Sequence, residues 1–370
     1  ELDVVHTTAV DLPSLMYAMA STAFDVQVDR PLRTTLFVLD EFECVLGVVV
    51  HHMAADGWSL TPLARDIAIA YSARAQGAAP DWPPLPVQYA DYTLWEHDVL
   101  GSEDNPGSLV AEQLGYWSRR LSGLPRRWDL PSGRPRPEDP PWRGASVHFA
   151  VDLRTLRGLN SIAHTHNASL FMIVHASLAT MLSGMSGLTD IAIATPIARR
   201  GERALDDLVG TFVNVVLLRT EVDNDAPFTD FLAHVRRADL DAFKHGDLPF
   251  YRVMDILNAT TSIPRQPFQV LLAFENFRRP PLALPGLTVS AKEIDLSIAK
   301  CDLQLTLSEE RNDIGELVGM SGAWTYATAL FDESTMHTFA RHFARIMTAV
   351  VSCPSIRLGQ LASMEGNDSA

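Results

Sequence analysis

Hydrophobic and polar positions follow two different spacings along this chain, and the alternation between them predicts a mixed α/β fold. Apolar residues at helical spacing predict helices over residues 12–24, 60–75, 153–164, 170–182, 228–244 and 334–351. Short apolar or alternating runs predict strands over residues 1–5, 36–39, 44–50, 145–151, 191–194, 303–307 and 317–326. The polar turn at residues 40–43 predicts that two of these strands form a hairpin. The valine-rich second strand of this hairpin is expected to be buried on both faces.

A proline-rich segment divides the pattern. Five prolines and several charges lie between Leu130 and Arg143. Such a run excludes a helix or a central strand, because proline lacks a backbone N–H and fixes its own φ angle. We therefore expect an interdomain linker and two domains, over residues 1–140 and 141–370.

Composition excludes several classes of protein. With 47% hydrophobic and 20% charged residues in 370, the chain resembles an ordinary globular protein. Its net charge of −15 and its lack of basic clusters argue against nucleic acid as a partner. The three cysteines are widely spaced and match no metal-binding pattern, so we expect them to be reduced in a cytoplasmic protein. Neither a long apolar span nor a secretion signal is seen, and no membrane contact is expected.

The stretch from His51 to Ser59 joins the end of a predicted strand to the start of a predicted helix. Consecutive side chains of a strand point to opposite sides, so only one of His51 and His52 can face a cleft. Asp56 stands where a residue caps a helix or holds a cation, and Gly57 lets a ligand approach the backbone closely. The combination predicts a functional site at this strand-to-helix turn.

The same stretch matches the pattern His-His-x-x-x-Asp-Gly and resembles the condensation domains of nonribosomal peptide synthetases. The resemblance to chloramphenicol-acetyltransferase-like acyltransferases in general is looser. Four later segments also resemble condensation-domain motifs, with departures at Thr93, Gly246 and Tyr251 and a one-residue shortening of the last segment. They cover residues 89–95, 210–214, 245–251 and 264–276, and the second of them matches the family pattern Gly-x-Phe-Val-Asn.

This resemblance implies an α/β fold of two chloramphenicol-acetyltransferase-like lobes in a V-shaped pseudo-dimer with a central tunnel. Residues 1–140 would form the donor-side lobe and residues 141–370 the acceptor-side lobe. Because this family places further strands, a helix and a basic motif before this point, the sequence is expected to lack the first part of its N-terminal lobe.

The resemblance also implies an activity, peptide-bond formation in antibiotic or siderophore biosynthesis. Donor and acceptor peptidyl carrier proteins bring thioester-linked substrates on phosphopantetheine arms, and neighbouring synthetase domains are the other partners. The acceptor amine attacks the donor thioester. No cofactor is bound by the domain itself, and no covalent enzyme intermediate is required, since the donor arrives activated.

Residue roles follow from the motif positions. His52 is expected to hydrogen-bond the attacking amine and accept its proton, and backbone N–H groups near Gly57 to stabilise the oxyanion. His51 is assigned to structure. Asp56 and Arg200 match an ion pair of the family, and breaking one half of a buried pair costs about 3–5 kcal/mol. A solvated turn at Arg200 remains the ordinary alternative.

Three further residues, Trp58, Ser59 and Asn214, are predicted to line the substrate tunnel. Asn214 lies in an apolar strand, where a buried amide requires a hydrogen-bonding partner or a ligand, and the sequence leaves both open. No metal is expected, because adjacent strand residues diverge and a third ligand is absent.

Three alternative functions remain open. An epimerisation domain shares the histidine motif, but no second acidic motif is seen here. An acyltransferase that uses acyl-CoA would need no carrier protein. A catalytically silent platform that recruits a tailoring enzyme is the third alternative. Such platforms usually lose the second histidine, which this chain keeps as His52.

Overall fold

The computed structural model describes residues 2–125, 130, 134–137, 142–258, 268–275, 282–312 and 314–364. Contacts divide the chain into two compact units. Unit 1 comprises Glu1–Asp98, Ala198–Val213 and Phe277–Leu296, and unit 2 comprises Val99–Ile197, Asn214–Asn276 and Ser297–Ala370. The predicted boundary at residue 140 lies outside the described residues, so the division into lobes 1–140 and 141–370 stays a prediction.

Unit 1 contains a small sheet and the helices that follow it in sequence. Its elements are β1 (Asp3–His6), α1 (Leu12–Ser21), β2 (Leu32–Val38), β3 (Cys44–Val50), α2 (Leu60–Ala75) and most of α3 (Tyr89–Leu100). The three strands lie in the order β1-β2-β3, with β1 parallel and β3 antiparallel to β2. Val38 pairs with Cys44, which confirms the hairpin predicted around residues 40–43.

Strand β3 is less buried than its apolar sequence predicts. Leu46 and Val48 keep 44% and 38% of their surface exposed, and Gly47 is the buried residue of the strand. The prediction of burial on both faces was wrong because, among the described residues, only the face of β3 that carries Gly47 is covered. On its covered face a Cβ at Gly47 would lie 2.9 Å from the Met19 sulfur, so α1 packs closely there.

Helix α3 begins in the predicted aromatic motif, and its rings contact a segment far away in sequence. The rings of Tyr89 and Tyr92 lie 5.2 and 4.7 Å from that of Phe212. Leu205 and Leu208 complete this small buried cluster. The aromatic residues therefore pack against residues 205–212.

Unit 2 is built on a six-stranded mixed sheet in the order β4-β9-β8-β7-β5-β6. Its strands are β4 (Gly144–Asp152), β5 (Asp190–Ile197), β6 (Asn214–Glu221), β7 (Val270–Glu275), β8 (Leu303–Arg311) and β9 (Leu317–Ala327). Its helices are α4 (Leu109–Arg120), α5 (Leu153–Thr165), α6 (Leu170–Ser186), α7 (Phe228–Lys244), α8 (Phe250–Asn258), α9 (Glu333–Ser352) and α10 (Leu358–Ala362). The large core of this unit contains the fully buried side chains of Trp324 and Phe343.

Most predicted elements are confirmed with small shifts at their ends. Helices α2 and α7 have the predicted bounds, and α1 ends at Ser21, three residues before the predicted end at Phe24. The sequence interpretation did not predict α3, α4, α8, α10 or β7. The proline-rich segment and the motif at residues 264–276 lie partly outside the described residues, and both interpretations stay predictions there.

Candidate functional site

The motif stretch from His51 to Ser59 lies between β3 and α2. The His51 N–H donates to the Pro31 carbonyl at 2.9 Å, which extends the pairing of β2 and β3 by one bond. The His51 carbonyl then accepts from the Ala54 N–H at 2.9 Å, so the chain turns directly after the two histidines. The strand end therefore fixes where the histidines stand.

The two histidines differ in environment. His51 is partly buried, its ring lies edge-on to that of Phe24 at 5.8 Å, and its Nδ1 accepts from the Met53 N–H at 3.1 Å. His52 has an exposed side chain, and its carbonyl accepts a hydrogen bond from the Thr211 hydroxyl. The His51 ring thus makes local contacts, whereas the His52 side chain is exposed to solvent.

Asp56 is buried at the centre of a hydrogen-bond network. Its Oδ1 accepts from the Ser59 N–H at 2.9 Å, the Ser59 hydroxyl at 2.8 Å and Arg200 Nη2 at 3.2 Å. Its Oδ2 accepts from the Phe212 N–H at 3.0 Å. Three donors on Oδ1 and one on Oδ2 therefore give Asp56 a structural role in holding the motif stretch to the segment around Phe212.

The pKa of Asp56 reflects two opposed effects. Burial raises this pKa, but the hydrogen bonds from Ser59 and Phe212 and the charge of Arg200 together outweigh it and hold the pKa below the usual value of a carboxyl group. The ionised carboxylate is therefore the form that the surrounding structure stabilises.

Arg200 completes the network from the segment Ala198–Val213. Its side chain is 5% exposed, and its Nη1 donates to the carbonyls of Leu205 and Leu208 at 2.5 and 3.1 Å. Its guanidinium also lies 4.0 Å from the centre of the Phe212 ring. The alternative of a solvated turn at Arg200 is therefore wrong, since one arginine joins Asp56 to the backbone of this segment.

Two residues predicted to line a tunnel have their polar side-chain atoms hydrogen-bonded within the chain. Ser59 is fully buried, and its hydroxyl shares one hydrogen between Asp56 Oδ1 and the Gly210 carbonyl, each at 2.8 Å, and accepts from the Gly210 N–H at 3.1 Å. In unit 2 the Asn214 amide nitrogen donates to the carbonyls of Gly246 and Leu248 at 2.8 Å, and its oxygen accepts from the Phe250 N–H at 3.0 Å. Hydrogen bonding within the chain explains both residues without a ligand.

Gly57 and Trp58 lie in the turn before α2. Gly57 is partly buried, and Trp58 keeps 43% of its surface exposed. Helix α2 begins at Leu60, so the backbone N–H groups of its first turn lie directly after Gly57 in sequence. The N–H groups of Leu60 and Thr61 donate to the carbonyls of Gly57 and Trp58 at 3.4 Å, and the N-terminal end of a helix favours negative charge. The roles predicted for Gly57 and Trp58 stay predictions.

Sequence reasoning missed Gly210, Thr211 and Tyr89 as parts of this site. A Cβ at Gly210 would lie 2.2 Å from the Tyr89 ring, so only glycine fits there without rearrangement. The Tyr89 hydroxyl donates to the Thr211 carbonyl at 2.7 Å. The glycine of the Gly-x-Phe-Val-Asn pattern was the available signal, but its contact with a ring so distant in sequence was not predictable.

A second polar cluster anchors the same segment. Arg199 forms an ion pair with Glu96, which also accepts from the Tyr92 hydroxyl at 3.2 Å. Burial raises the pKa of Tyr92 to about 12. A phenol with this pKa keeps its proton at neutral pH, so Tyr92 serves as a hydrogen-bond donor here.

Two further histidines, His175 and His245, take structural positions in unit 2. In unit 2 the Nδ1 of His175 lies 2.9 Å from Oδ1 of Asp239, and both side chains are completely buried. The ring of His245 stacks on that of Tyr116 at 3.7 Å. Among the described residues, no group of three or more histidine, cysteine or acidic side chains is arranged to hold a metal ion.

Within the described part of the chain, no single helix is long and apolar enough to span a membrane. The consecutive helices α5 and α6 meet the criterion of length and composition together, with a bend of 104° between them.

Comparison with known proteins identifies the family. The model of the condensation domain matches residues 1–369. A dimodular nonribosomal peptide synthase of Bacillus subtilis is 40% identical over 98% of this chain, and an isonitrile lipopeptide synthase of Mycobacterium tuberculosis is 38% identical over 100% of it. In each case the chain spans 15% of the length of the relative.

Among solved structures, the X-domain of teicoplanin biosynthesis in complex with OxyB is similar with a TM-score of 0.88 and 34% identity. The match covers 98% of this chain and 79% of that one. The mixed α/β, chloramphenicol-acetyltransferase-like fold agrees with this likeness. Domains of this family receive their substrates on phosphopantetheine arms of carrier proteins and need no cofactor of their own. The chain belongs to the condensation-domain family of nonribosomal peptide synthetases.

Proposed function

We propose that this domain joins two carrier-bound substrates through a peptide bond, with His52 as the residue that contacts the attacking amine. The observation that carries the proposal is the difference between the two histidines. The His52 side chain is exposed at the end of β3, while the His51 ring is held by Phe24 and Met53. Donor and acceptor peptidyl carrier proteins are the proposed partners, and a cytoplasmic location stays a prediction.

The reaction needs little chemical help beyond orientation. The acceptor amine attacks the carbonyl carbon of the donor thioester, a C–N bond forms, and the C–S bond breaks. The amine loses a proton, which His52 accepts, and the departing thiolate is protonated. A free α-amine has a pKa of about 7.7–8.0, so deprotonating it at neutral pH costs only about 1 kcal/mol.

Positioning of the two reactants should therefore contribute more than proton transfer. Orientation of bound reactants is worth about 7–11 kcal/mol, whereas a general base contributes about 10²–10⁴ in rate. The network of Asp56, Ser59 and Arg200 supports this view, because it holds the turn that carries His52 and takes no proton itself. Backbone N–H groups near Gly57 are proposed to stabilise the oxyanion.

The test is single-turnover peptide formation with both substrates loaded on carrier proteins. We expect His52→Ala to lower the rate by about 10²–10⁴. His97→Ala is the matched control, because His97 is another exposed histidine of unit 1 that lies on α3, away from the motif stretch. A native rate in His52→Ala would remove the proposed role, and a loss of rate in His97→Ala would show that the assay responds to histidine loss in general.

A second candidate function is a platform that recruits another enzyme. The X-domain of teicoplanin biosynthesis forms a complex with OxyB, and the likeness of this chain to that X-domain, at 34% identity and a TM-score of 0.88, favours the platform. The retained His52 favours the enzyme instead. A native protein that folds and binds a carrier protein or a tailoring enzyme but forms no product from loaded carriers would support the platform.

A further inference from the structure

The backbone of His52 is held by a residue that the family pattern leaves unspecified. The Thr211 hydroxyl donates to the His52 carbonyl. Thr211 is the variable position in Gly-x-Phe-Val-Asn, between Gly210 and Phe212. The contact joins the segment Ala198–Val213 to the histidine itself, beyond the links that this segment makes to Asp56 and Ser59.

Thr211 is fixed on both sides. Before it, the Gly210 carbonyl accepts from the Asp56 N–H at 3.2 Å, and after it, the Phe212 N–H donates to Asp56 Oδ2 at 3.0 Å. Its own carbonyl accepts from the Tyr89 hydroxyl at 2.7 Å. The Thr211 hydroxyl is therefore presented from a backbone with little freedom to shift.

The exposed ring of His52 has few other constraints. Among the described residues no hydrogen bond to this ring is present, so the direction of the side chain depends on the backbone that carries it. Catalytic groups must be held within about 0.5 Å of their productive position. A misplacement of about 1 Å can cost about 10²-fold in rate. A hydrogen bond to the His52 carbonyl limits how far the backbone, and with it the His52 ring, can move from its position.

We propose that Thr211 is a positioning residue for His52, acting through the hydrogen bond from its hydroxyl to the His52 carbonyl. The proposal rests on the function proposed above, since it requires His52 to contact the reacting amine. Thr211 itself touches no substrate in this role. Tyr89 supports it indirectly by holding the Thr211 peptide group.

The decisive variants are Thr211→Val and Thr211→Ser. Valine keeps the branched shape of threonine and removes the hydroxyl, whereas serine keeps the hydroxyl. Thr165→Val is the matched control, because the Thr165 hydroxyl also donates to a backbone carbonyl, that of Ser161 at 2.9 Å, on α5 of unit 2. Each variant is assayed for peptide formation on loaded carriers and for its melting temperature.

We expect Thr211→Val to lower kcat about tenfold, with KM for both carriers within about twofold of native and an unchanged melting temperature. Thr211→Ser should regain a kcat within about twofold of native, and Thr165→Val should match the native protein. A native kcat in Thr211→Val, equal losses in Thr211→Val and Thr211→Ser, or a change confined to KM would overturn the proposal. If Thr211→Val does not fold, Tyr89→Phe takes its place, because it removes the hydroxyl that holds the Thr211 carbonyl. A native kcat in Tyr89→Phe would then overturn the Thr211 proposal.

His52→Ala in the same assay separates this proposal from the proposed function. If His52→Ala keeps the native rate, the function fails and the Thr211 proposal fails with it. If His52→Ala is slow and Thr211→Val is native, only the Thr211 proposal fails. Because Thr211 acts through His52, the double variant should be no slower than His52→Ala, and a further tenfold loss would contradict that route.

Discussion

At the scale of single residues, the role assigned to each residue of this site depends on whether its polar side-chain atoms form hydrogen bonds within the chain. Asp56, Ser59 and Asn214 all have their side-chain oxygens occupied within the chain, whereas His52 presents a free ring to solvent. The sequence predicted that His51 and His52 differ in environment and that Asp56 pairs with Arg200, because strand alternation and motif spacing carry that information. It did not identify the hydrogen-bond partners of Ser59 and Asn214, because they lie 151 and 32 to 36 residues away.

At this scale the carboxylate of Asp56 predicts a pH dependence of stability. Its pKa is lowered in the folded protein, so the folded state binds the proton more weakly than the unfolded state, whose value is about 3.9. This stability is fully present above the unfolded pKa and is lost as pH falls through the folded one.

The variant Asp56→Asn tests this pH dependence, because it keeps the size of the side chain and removes its charge. We expect it to be less stable than the native protein by about 3 kcal/mol at pH 7, because Arg200 loses its counter-charge. The difference in unfolding free energy should narrow as the pH falls from about 5 to about 2. Urea unfolding at several pH values measures it, and a difference that stays constant would contradict the assignment.

At the scale of elements, the segment Ala198–Val213 makes many of the hydrogen bonds that hold the motif stretch in place. It supplies Arg200, Gly210 and Thr211 to the motif stretch, and its Phe212 packs against the tyrosines of α3. Periodicity located α2 and β3 correctly, but it carried no information about this segment, which has little regular structure.

Gly210→Ala tests how closely this segment packs. The added Cβ would meet the Tyr89 ring at 2.2 Å, so we expect a loss of about 1–3 kcal/mol in unfolding free energy. Gly201→Ala is the control in the same segment, because nothing lies within 4 Å of its Cβ. Equal stabilities of the two variants in thermal unfolding would show that Tyr89 moves aside freely.

At the scale of the whole molecule, the two compact units do not follow the order of the chain. Unit 1 takes its segment Ala198–Val213 from the far side of the predicted boundary at residue 140. The α/β class and the family were accessible from spacing and motifs. The sequence did not show that the segment Ala198–Val213 belongs to unit 1, because this depends on buried side chains that meet only in the folded protein.

This arrangement makes a prediction for chimeric proteins. A chimera of residues 1–140 of this chain with the remainder of a 40% identical relative combines the motif stretch with a foreign copy of the segment. Returning residues 198–213 of this chain should raise the melting temperature, by about 2–4 °C for each kcal/mol regained. Returning residues 153–165, which belong to unit 2, is the control and should have no such effect. Equal effects would contradict the prediction.

The shared hydrogen bonds of Asp56, Ser59, Arg200 and Gly210 also bear on how such a domain changes over evolutionary time. A substitution at Asp56, Ser59 or Arg200 leaves a buried polar group of another without its partner, and each unpaired group costs about 1–3 kcal/mol. Single-step drift at these sites is therefore selected against, and paired replacements are favoured. Homologous sequences should show positions 56 and 59 changing together with position 200, while the exposed neighbour Met53 varies independently of them.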